Sequence, residues 1–541
     1  MTVNDVAVEA LYENGIVSWT SAEDMADGRV SVVVTVTRAD GKTASKSWSF
    51  TVGEAQYELY FGQMHSHTTY SDGSGSLESA LSYIGSLPES ANVDFVAFTD
   101  HSNYFDKSGE ANPEGALVDM SLATPFSQET WAAYKNAIAD FNAKNVGVVA
   151  LGGFEMTWSG GPGHMNTFAT PGIVSRNNTD LNNKSSDAGM RLYYTLLGQE
   201  ALRDSITQLN HPGATFGNFT DFAYWDPAYD AVVQLVEVGN GEGQVGAGGY
   251  YPSYEQYTMA LDKGWHLAPT NNQDNHKGKW GNANDARDVV LTDDFSEEGI
   301  YEAIRAYRVY ATEDKNLEIG YTVNGLLLGS VISEVPEKLD FEVTLFDPDS
   351  SDSISKVEVI VNSGKVAYTW SDPAQLATGV LTAELAPDYS YYYLRVTQGD
   401  GDIAVTAPVW VGEILKLGIS SVECGTSTPV TGEELTISTT LFNSETVQAN
   451  VKSLTYTVGS QVLAVDTTPY TIPASGNTTL TFKYTPDTAR VMKVTVTAVV
   501  ELDGVEYTFS MDVKLSLISA LFIPIVALSS GVFYKSISGR F

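Results

Sequence analysis

All seven histidines of this 541-residue chain fall between residues 65 and 276. Six of them stand in short contexts of one form, an apolar run followed by a histidine or carboxylate where the run ends. VDFVAFT leads to Asp100 and His101, VGVVALGGF leads to Glu155, and LAPTNNQ leads to Asp274 and His276. His65 and His67 follow YELYFGQM, His164 lies in GPGHMN, and His211 in LNHPG. Residues so far apart in sequence meet only in a fold that gathers strand ends at one mouth, as an α/β barrel does. Neighbouring residues on a strand point to opposite faces, so the His65-x-His67 pair must sit at a strand end or bend to act together.

The surrounding texture agrees. From residue 55 to about 314, buried-type runs alternate with helical stretches. FSQETWAAYKNAIADFNAKN (126–145) places Trp131, Tyr134, Ile138 and Phe141 on one helix face. Such repetition predicts a parallel sheet. Residues 1–54 alternate apolar and polar, with Asp40-Gly41 as a hairpin signal, and read as the end of an immunoglobulin-like domain. Residues 315–412 and 413–515 carry short alternating strands and predict two β-sandwiches. The acidic run Asp347–Asp352 reads as a solvated turn, with calcium as the alternative.

The formal charge is -37, with only 30 Lys plus Arg. That balance opposes phosphate backbones, and no basic run offers a nucleic-acid groove. The single cysteine, Cys424, excludes an intrachain disulfide and a thiolate metal cluster. The N-terminus has no signal-peptide pattern. Leu515–Tyr534 is uncharged and mostly apolar, followed by Lys535 and Arg540. This predicts a membrane anchor over 516–541, with the rest of the chain on the outer cell surface of a bacterium.

Imidazole and carboxylate donors together suit zinc, manganese or iron. The ordered set HSHTTYSDG, TDH, a Glu after an apolar strand, GHMN, NHPG and D-x-H resembles the polymerase and histidinol phosphatase metallohydrolases, in the branch with carbaryl-hydrolase-like proteins. The resemblance implies a distorted (β/α)7 barrel over 55–314, flanked by the immunoglobulin-like sandwiches, with two or three divalent metals. It implies that His65, His67, Glu155 and Asp274 bind one ion, that Glu155 bridges to a second held by His164 and His211, and that Asp72, His101 and His276 hold a third. Asp100 is then a carboxylate that orients an imidazole. Arg287 is a candidate phosphate grip, with Lys277 and Lys279 beside it. Tyr70, Trp158, Trp225 and Trp280 are candidates for a substrate cleft, Glu237 for a supporting carboxylate, and 239–252 for a flexible loop at the mouth. His266 has no counterpart and reads as a core or rim residue.

The implied activity is hydrolysis of a phosphoester by hydroxide activated on the metals. A carboxylic or carbamate ester is the alternative substrate for the same centre. A metal-stabilised surface binding module without catalysis is the third reading.

Overall fold

The computed structural model describes residues 1–516 apart from 5, 14–15, 22–24, 26–27, 38–42, 53–56, 145–146, 350–351, 413–416, 426–429, 444–446, 459–460, 475, 488–490 and 503–504. The chain divides into two compact units, Met1–Ile414 and Leu415–Phe541.

The first unit contains the strands β1 (Glu58–Gln63), β2 (Phe95–Phe98), β3 (Val149–Thr157), β4 (His164–Phe168), β5 (Ile206–Asn210), β6 (Val233–Asn240), β7 (Ala268–Asn272), β8 (Arg287–Thr292) and β9 (Val309–Thr312). Among its described residues, five α-helices have eight residues or more: α1 (Leu77–Ile84), α2 (Pro125–Asn142), α3 (Ala188–Leu197), α4 (Tyr254–Asp262) and α5 (Glu297–Arg305). Helix α2 shows why the sequence folds this way. Thr124 caps it by accepting from Ser127 N, and Pro125 occupies the first turn, where its missing N–H is not needed. Trp131, Tyr134, Ile138 and Phe141 are all buried. Each such side chain contributes about 1.5–3 kcal/mol, which outweighs the weak intrinsic helix preference of the aromatic residues.

The (β/α)7 barrel expected from the sequence is not what forms. β1, β2 and β3 pair in parallel, and so do β5, β6 and β7. Between the two groups the ladder reverses, because β4 runs antiparallel to both β3 and β5. Only Trp158–Gly163 separate β3 from β4. A parallel crossover needs about a dozen residues or more, so the chain turns back as a hairpin. On the other side of β1, strands β8 and β9 are also antiparallel. The sheet then continues through Ile403–Thr406, Tyr391–Gln398, Ile354–Val361 and Lys365–Trp370. The result is one 16-stranded, mainly antiparallel sheet in a mostly β protein.

The boundary expected at residue 314 is crossed by this sheet and by its core. Glu318–Val323, Leu339–Phe346 and Val380–Leu385 form a second, antiparallel layer. Leu339, Phe341, Val343 and Leu345 point inward while Asp340, Glu342 and Thr344 are exposed. The inward set packs with Val357, Val359, Leu394 and Val396, in a cluster that also holds Phe61, Phe95 and Leu151. Near the N-terminus, Gly28–Thr37 pairs antiparallel with Thr43–Val52; the expected Asp40-Gly41 turn lies outside the described residues.

The second unit has a three-stranded sheet (Leu417–Cys424, Leu435–Asn443, Gly476–Tyr484) and a five-stranded one built on Ala449–Val458 and Val491–Leu502. Ile437 and Leu441 of the first share a core with Leu454, Tyr456, Val494 and Val496 of the second. The hydrophobic helix expected over 516–541 falls almost wholly outside the described residues. Leu515 and Ser516 finish the strand Val505–Ser516, and 517–541 lie outside the described residues. Among the described residues no helix is long and apolar enough to cross a membrane.

Candidate metal centre

β1 ends at Gln63, so His65 and His67 both lie beyond the strand. Their turn is fixed from several directions. Met64 N donates to Asn272 Oδ1 (2.6 Å), His67 N to Asn275 O (2.9 Å) and Thr99 N to Ser66 O (2.8 Å). A single bridge, Ser66 with Asn275, ties this turn to the segment after β7. His101 follows β2 after Thr99 and Asp100, Glu155 is near the end of β3, and His164 opens β4 directly opposite Thr157. His211 follows β5, and Asp274 and His276 follow β7.

All nine predicted ligands meet there. Their donor atoms form four overlapping groups within 4.8 Å: His67, Asp72, His101 and His276; His65, His211 and Asp274; His65, His67 and Glu155; Glu155, His164 and His211. Glu155 is the centre. Its Oε1 lies 3.2 Å from His164 Nδ1, 3.5 Å from His211 Nε2 and 3.6 Å from His65 Nε2. Its Oε2 lies 2.5 Å from His101 Nδ1 and 3.9 Å from His67 Nε2.

Divalent metal fits this set. The Nε2 atoms of His65 and His67 are 3.2 Å apart, and each is 3.0–3.2 Å from Asp274 Oδ1. Yet Asp274 Oδ1 has no hydrogen-bond partner, nor does the buried His211 Nδ1. A carboxylate oxygen this close to two imidazole nitrogens yet without a hydrogen bond to either is what lone pairs aimed at a shared cation produce. His211 (φ 30°) and Asp274 (φ 47°) also hold left-handed backbone conformations. These cost about 1–3 kcal/mol each in non-glycine residues and are retained where position matters.

The electrostatics are those of a crowded, metal-free donor set. Burial opposes charge on Glu155, but His101 and His164 hold its carboxyl well below the usual range. Asp274 is likewise held down against burial by His65 and His67. Burial disfavours the His65 cation, but Asp274 and Glu237 push its pKa up to about 10. Burial lowers His67 and His164 instead. The hydrogen bond from His276 takes Asp72 down to about 2.

Neighbouring side chains fix the imidazoles. Glu237 Oε1 is 2.8 Å from His65 Nδ1, and its Oε2 accepts from His211 N and Asn240 Nδ2. Thr157 Oγ1 is 2.9 Å from His101 Nδ1, and Ser71 Oγ is 3.2 Å from His67 Nδ1. Asn210 Nδ2 donates to Glu155 Oε1 (2.9 Å). Thr157, Ser71 and Asn210 were not singled out in the sequence. For Thr157 and Asn210 the available signal was a polar residue inside an otherwise buried strand, which needs a partner there; Ser71 lies in a turn and gave none.

The other expectations fare differently. Asp100 touches no imidazole. Its carboxylate accepts from Thr68 N and Oγ1 and from Ser71 N and Oγ, so it fixes the turn that carries His67 and Asp72. Arg287 is fully buried, with its guanidinium donating to the carbonyls of Ala91, Asn92, Asn284 and Ala286. It is a structural clamp and cannot grip a substrate. Lys277 is exposed and pairs with Glu242 (2.6 Å), whose other oxygen accepts from the His276 and Lys277 amides. Lys279 is exposed as well. Glu242 belongs to the glycine-rich loop, which is fastened by Asn284 Nδ2 at the Gly241 and Gly243 carbonyls. Trp158, Trp225 and Trp280 are buried and Tyr70 packs on Phe105. The aromatic rings at the rim are instead Tyr104 beside His101 and Phe216 beside His164 and His211, both substantially exposed. His266 lies apart, bound to Asp230 (2.7 Å) and packed on Trp410.

No family model matches the chain, and no curated protein does. Solved structures resemble parts of it weakly. The CARDB domain of a Pyrococcus furiosus protein, in complex with di-metal ions, is 16% identical over 19% of this chain and 87% of that one, with a TM-score of 0.15. A protein from Archaeoglobus fulgidus is 16% identical over 18% of this chain and 97% of that one, with a TM-score of 0.14. Trypsin-activated alpha-2-macroglobulin from Escherichia coli is 13% identical over 37% of this chain and 15% of that one, with a TM-score of 0.22. At these scores none bears on the histidine centre.

Proposed function

We propose that the Glu155-centred cluster is the site of a metal-dependent hydrolase that holds two or three divalent ions of the zinc, manganese or iron kind, with a phosphoester as substrate. The observation that carries this reading is five imidazoles around one buried carboxylate. A carboxylate offers about four acceptor directions, so hydrogen bonding alone does not account for the crowd. A bridge between cations does. The order of the ligand motifs, with its resemblance to the polymerase and histidinol phosphatase metallohydrolases, supports the same reading.

Bound divalent ions supply Lewis acidity and bring the pKa of water toward neutrality. The chain's own part is to hold the donors. Glu237 sets the tautomer of His65, Glu155 and Thr157 face the same nitrogen of His101, and Asp100 holds the turn that carries His67 and Asp72. With Arg287 withdrawn into backbone contacts, a carbon ester is the second reading, favoured by the apolar rim that Tyr104 and Phe216 form.

The test is elemental analysis of the full chain, with hydrolysis of bis-p-nitrophenyl phosphate, p-nitrophenyl phosphate and p-nitrophenyl acetate in parallel. The expected result is two or more transition-metal ions per chain. Phosphoester turnover should fall more than about 100-fold in His65→Ala, since even partners of ligands are worth about 10–100-fold. Turnover of the acetate alone selects the carbon-ester reading. Folded protein that takes up neither zinc nor manganese overturns both and leaves a non-catalytic binding module.

A further inference from the structure

The nine donors are not equally enclosed. The side chains of His65, Glu155, His164 and His211 are no more than 9% exposed, whereas Asp72 is 48% and His276 32% exposed. The group of His67, Asp72, His101 and His276 is therefore the one that opens to solvent. Its geometry depends on what holds two open turns, one carrying Asp72 and one carrying His276.

The turn after β7 is held from outside the donor set. Glu242 Oε1 accepts from both His276 N and Lys277 N, the second at 2.9 Å, and its Oε2 pairs with Lys277 Nζ (2.6 Å). Hydrogen bonds to a carboxylate are about twice as strong as neutral ones, and here one oxygen takes two adjacent amides. Ser74 N donates to His276 O (2.8 Å), which joins this turn to the one carrying Asp72. The Asp274 carbonyl faces His276 Nδ1 (2.8 Å), so Nε2 is left toward Asp72 Oδ1, 3.3 Å away. Glu242 itself is in none of the groups of side chains that could share an ion.

Glu242 is built into its place. It stands between Gly241 and Gly243 in the loop at the mouth. At Gly241 φ is +120° and a Cβ would lie 2.1 Å from Gly249 O; at Gly243 a Cβ would lie 2.5 Å from Gly248 O. Only glycine passes at both positions. The loop can then fold back on itself, with Gly243 N donating to Gly249 O (3.0 Å). Gly241 N donates to Asn272 O (3.0 Å) at the end of β7, and the buried Asn284 holds both glycine carbonyls through Nδ2 (2.9 and 2.7 Å). The enclosed donors are oriented by other side chains: Glu237 at His65 and at the His211 amide, Asn210 and Thr157 at Glu155.

We propose that Glu242 is the positioning residue of a third, exchangeable metal site. It sets the His276 turn, and through it the group of His67, Asp72, His101 and His276, without touching the ion. The proposal rests on the metal-centre reading above and gives that centre two enclosed ions and one open to solvent. Loss of the Glu242 carboxylate is expected to weaken the third ion by about 10–100-fold, the size found for partners of metal ligands, and to leave the other two in place.

The experiment is equilibrium dialysis of the metal-free full chain against buffered zinc, with elemental analysis at each step and melting curves of the metal-free protein. Wild type is expected to bind two zinc ions tightly and a third more weakly. Glu242→Ala is expected to keep the two and bind the third about 10–100-fold more weakly still. Glu242→Gln keeps an oxygen that accepts from both turn amides and is expected to recover most of that loss. A third ion bound as tightly by Glu242→Ala as by wild type overturns the proposal. So does a wild type that binds two ions and no third, or a Glu242→Ala protein that loses all its ions alike and melts lower without metal, since Glu242 would then support the fold at large. Folded wild type that takes up no zinc at all overturns the metal-centre reading itself, and this proposal with it.

Discussion

The histidine centre and an acidic corner, where Asp314, Asp347 and Asp352 gather beside Gln398, both sit where strands give way to turns, yet they are held in different ways. In the histidine centre a second contact pins several of the imidazoles: Glu237 at His65, Ser71 at His67, Thr157 at His101 and the Asp274 carbonyl at His276. In the acidic corner, backbone amides of the local turns orient Asp314 and Asp347. The difference follows from the donors. An imidazole binds metal through one nitrogen, so the other must be pinned to choose the tautomer. A carboxylate can bind through either oxygen, and a turn amide is enough to set it. Nitrogen-rich and oxygen-only donor sets also select different ions. One chain thus carries two clusters that could hold a metal ion, one rich in nitrogen and one of oxygen only.

The largest break between the two sites is expected from Glu155→Gln. The amide keeps the size of the side chain but loses its charge and one of the oxygens that five imidazoles surround. Hydrolysis is expected to fall more than about 100-fold, since this change exceeds the loss of an orienting partner. Elemental analysis should show transition metal lost from the chain. Activity within about tenfold of wild type would remove Glu155 from the centre of the site.

That prediction rests on residues that were readable in the sequence, and the reason is physical. Histidine is scarce here, and several of the ligands follow a run that reads as a buried strand. His65, His101, Glu155, His211 and Asp274 therefore declared both their chemistry and their place. The fold around them was less legible. Antiparallel β4 and parallel β5 are both short buried strands, and only the six-residue gap before β4 betrays the reversal. Arg287 was misread because it opens a strand after a loop, where a rim position is usual. Its burial is decided by the carbonyls of Ala91 and Asn92, almost 200 residues earlier. Gln398 gave no signal in YYYLRVTQ, since an amide's partners depend on which loops reach it.

A smaller effect separates holding a ligand from being one. Glu237→Gln retains an oxygen to accept from His211 N and Asn240 Nδ2 but replaces the carboxylate facing His65 Nδ1. Transition-metal affinity is expected to drop about 10–100-fold with the fold intact. A competition titration against a chelator, with a melting curve of the metal-free protein, measures both. Unchanged affinity would mean that His65 needs no help in choosing its tautomer, and the contrast with the acidic corner would fail.

The mildest test compares the two sites through pH. In the metal-free protein, burial works against the His65 cation but Asp274 and Glu237 carry its pKa to about 10. Burial also opposes charge on His276, while the hydrogen bond to Asp72 and the Asp274 charge raise it to about 9. Both values lie above the ordinary 6.5, so these groups stabilise the metal-free fold fully below pH 6.5 and lose that contribution as pH rises through 9 and 10. Metal requires the neutral imidazole, so each proton displaced gives about tenfold tighter binding per pH unit. Zinc affinity is therefore expected to climb across the same window in which the metal-free protein weakens. The acidic corner should behave otherwise. Burial and the charges of Asp400 and Glu313 set Asp402 near 7, so negative charge there is half developed at neutrality and nearly complete about one pH unit higher. Calcium affinity should rise up to about pH 8 and then level, because the carboxylates then have no proton left to release. Parallel zinc and calcium titrations from pH 6 to 9 read both curves. A zinc curve as flat as the calcium curve above pH 8 would mean that the imidazoles are already neutral without metal, and that the carboxylates around His65 do not hold its proton.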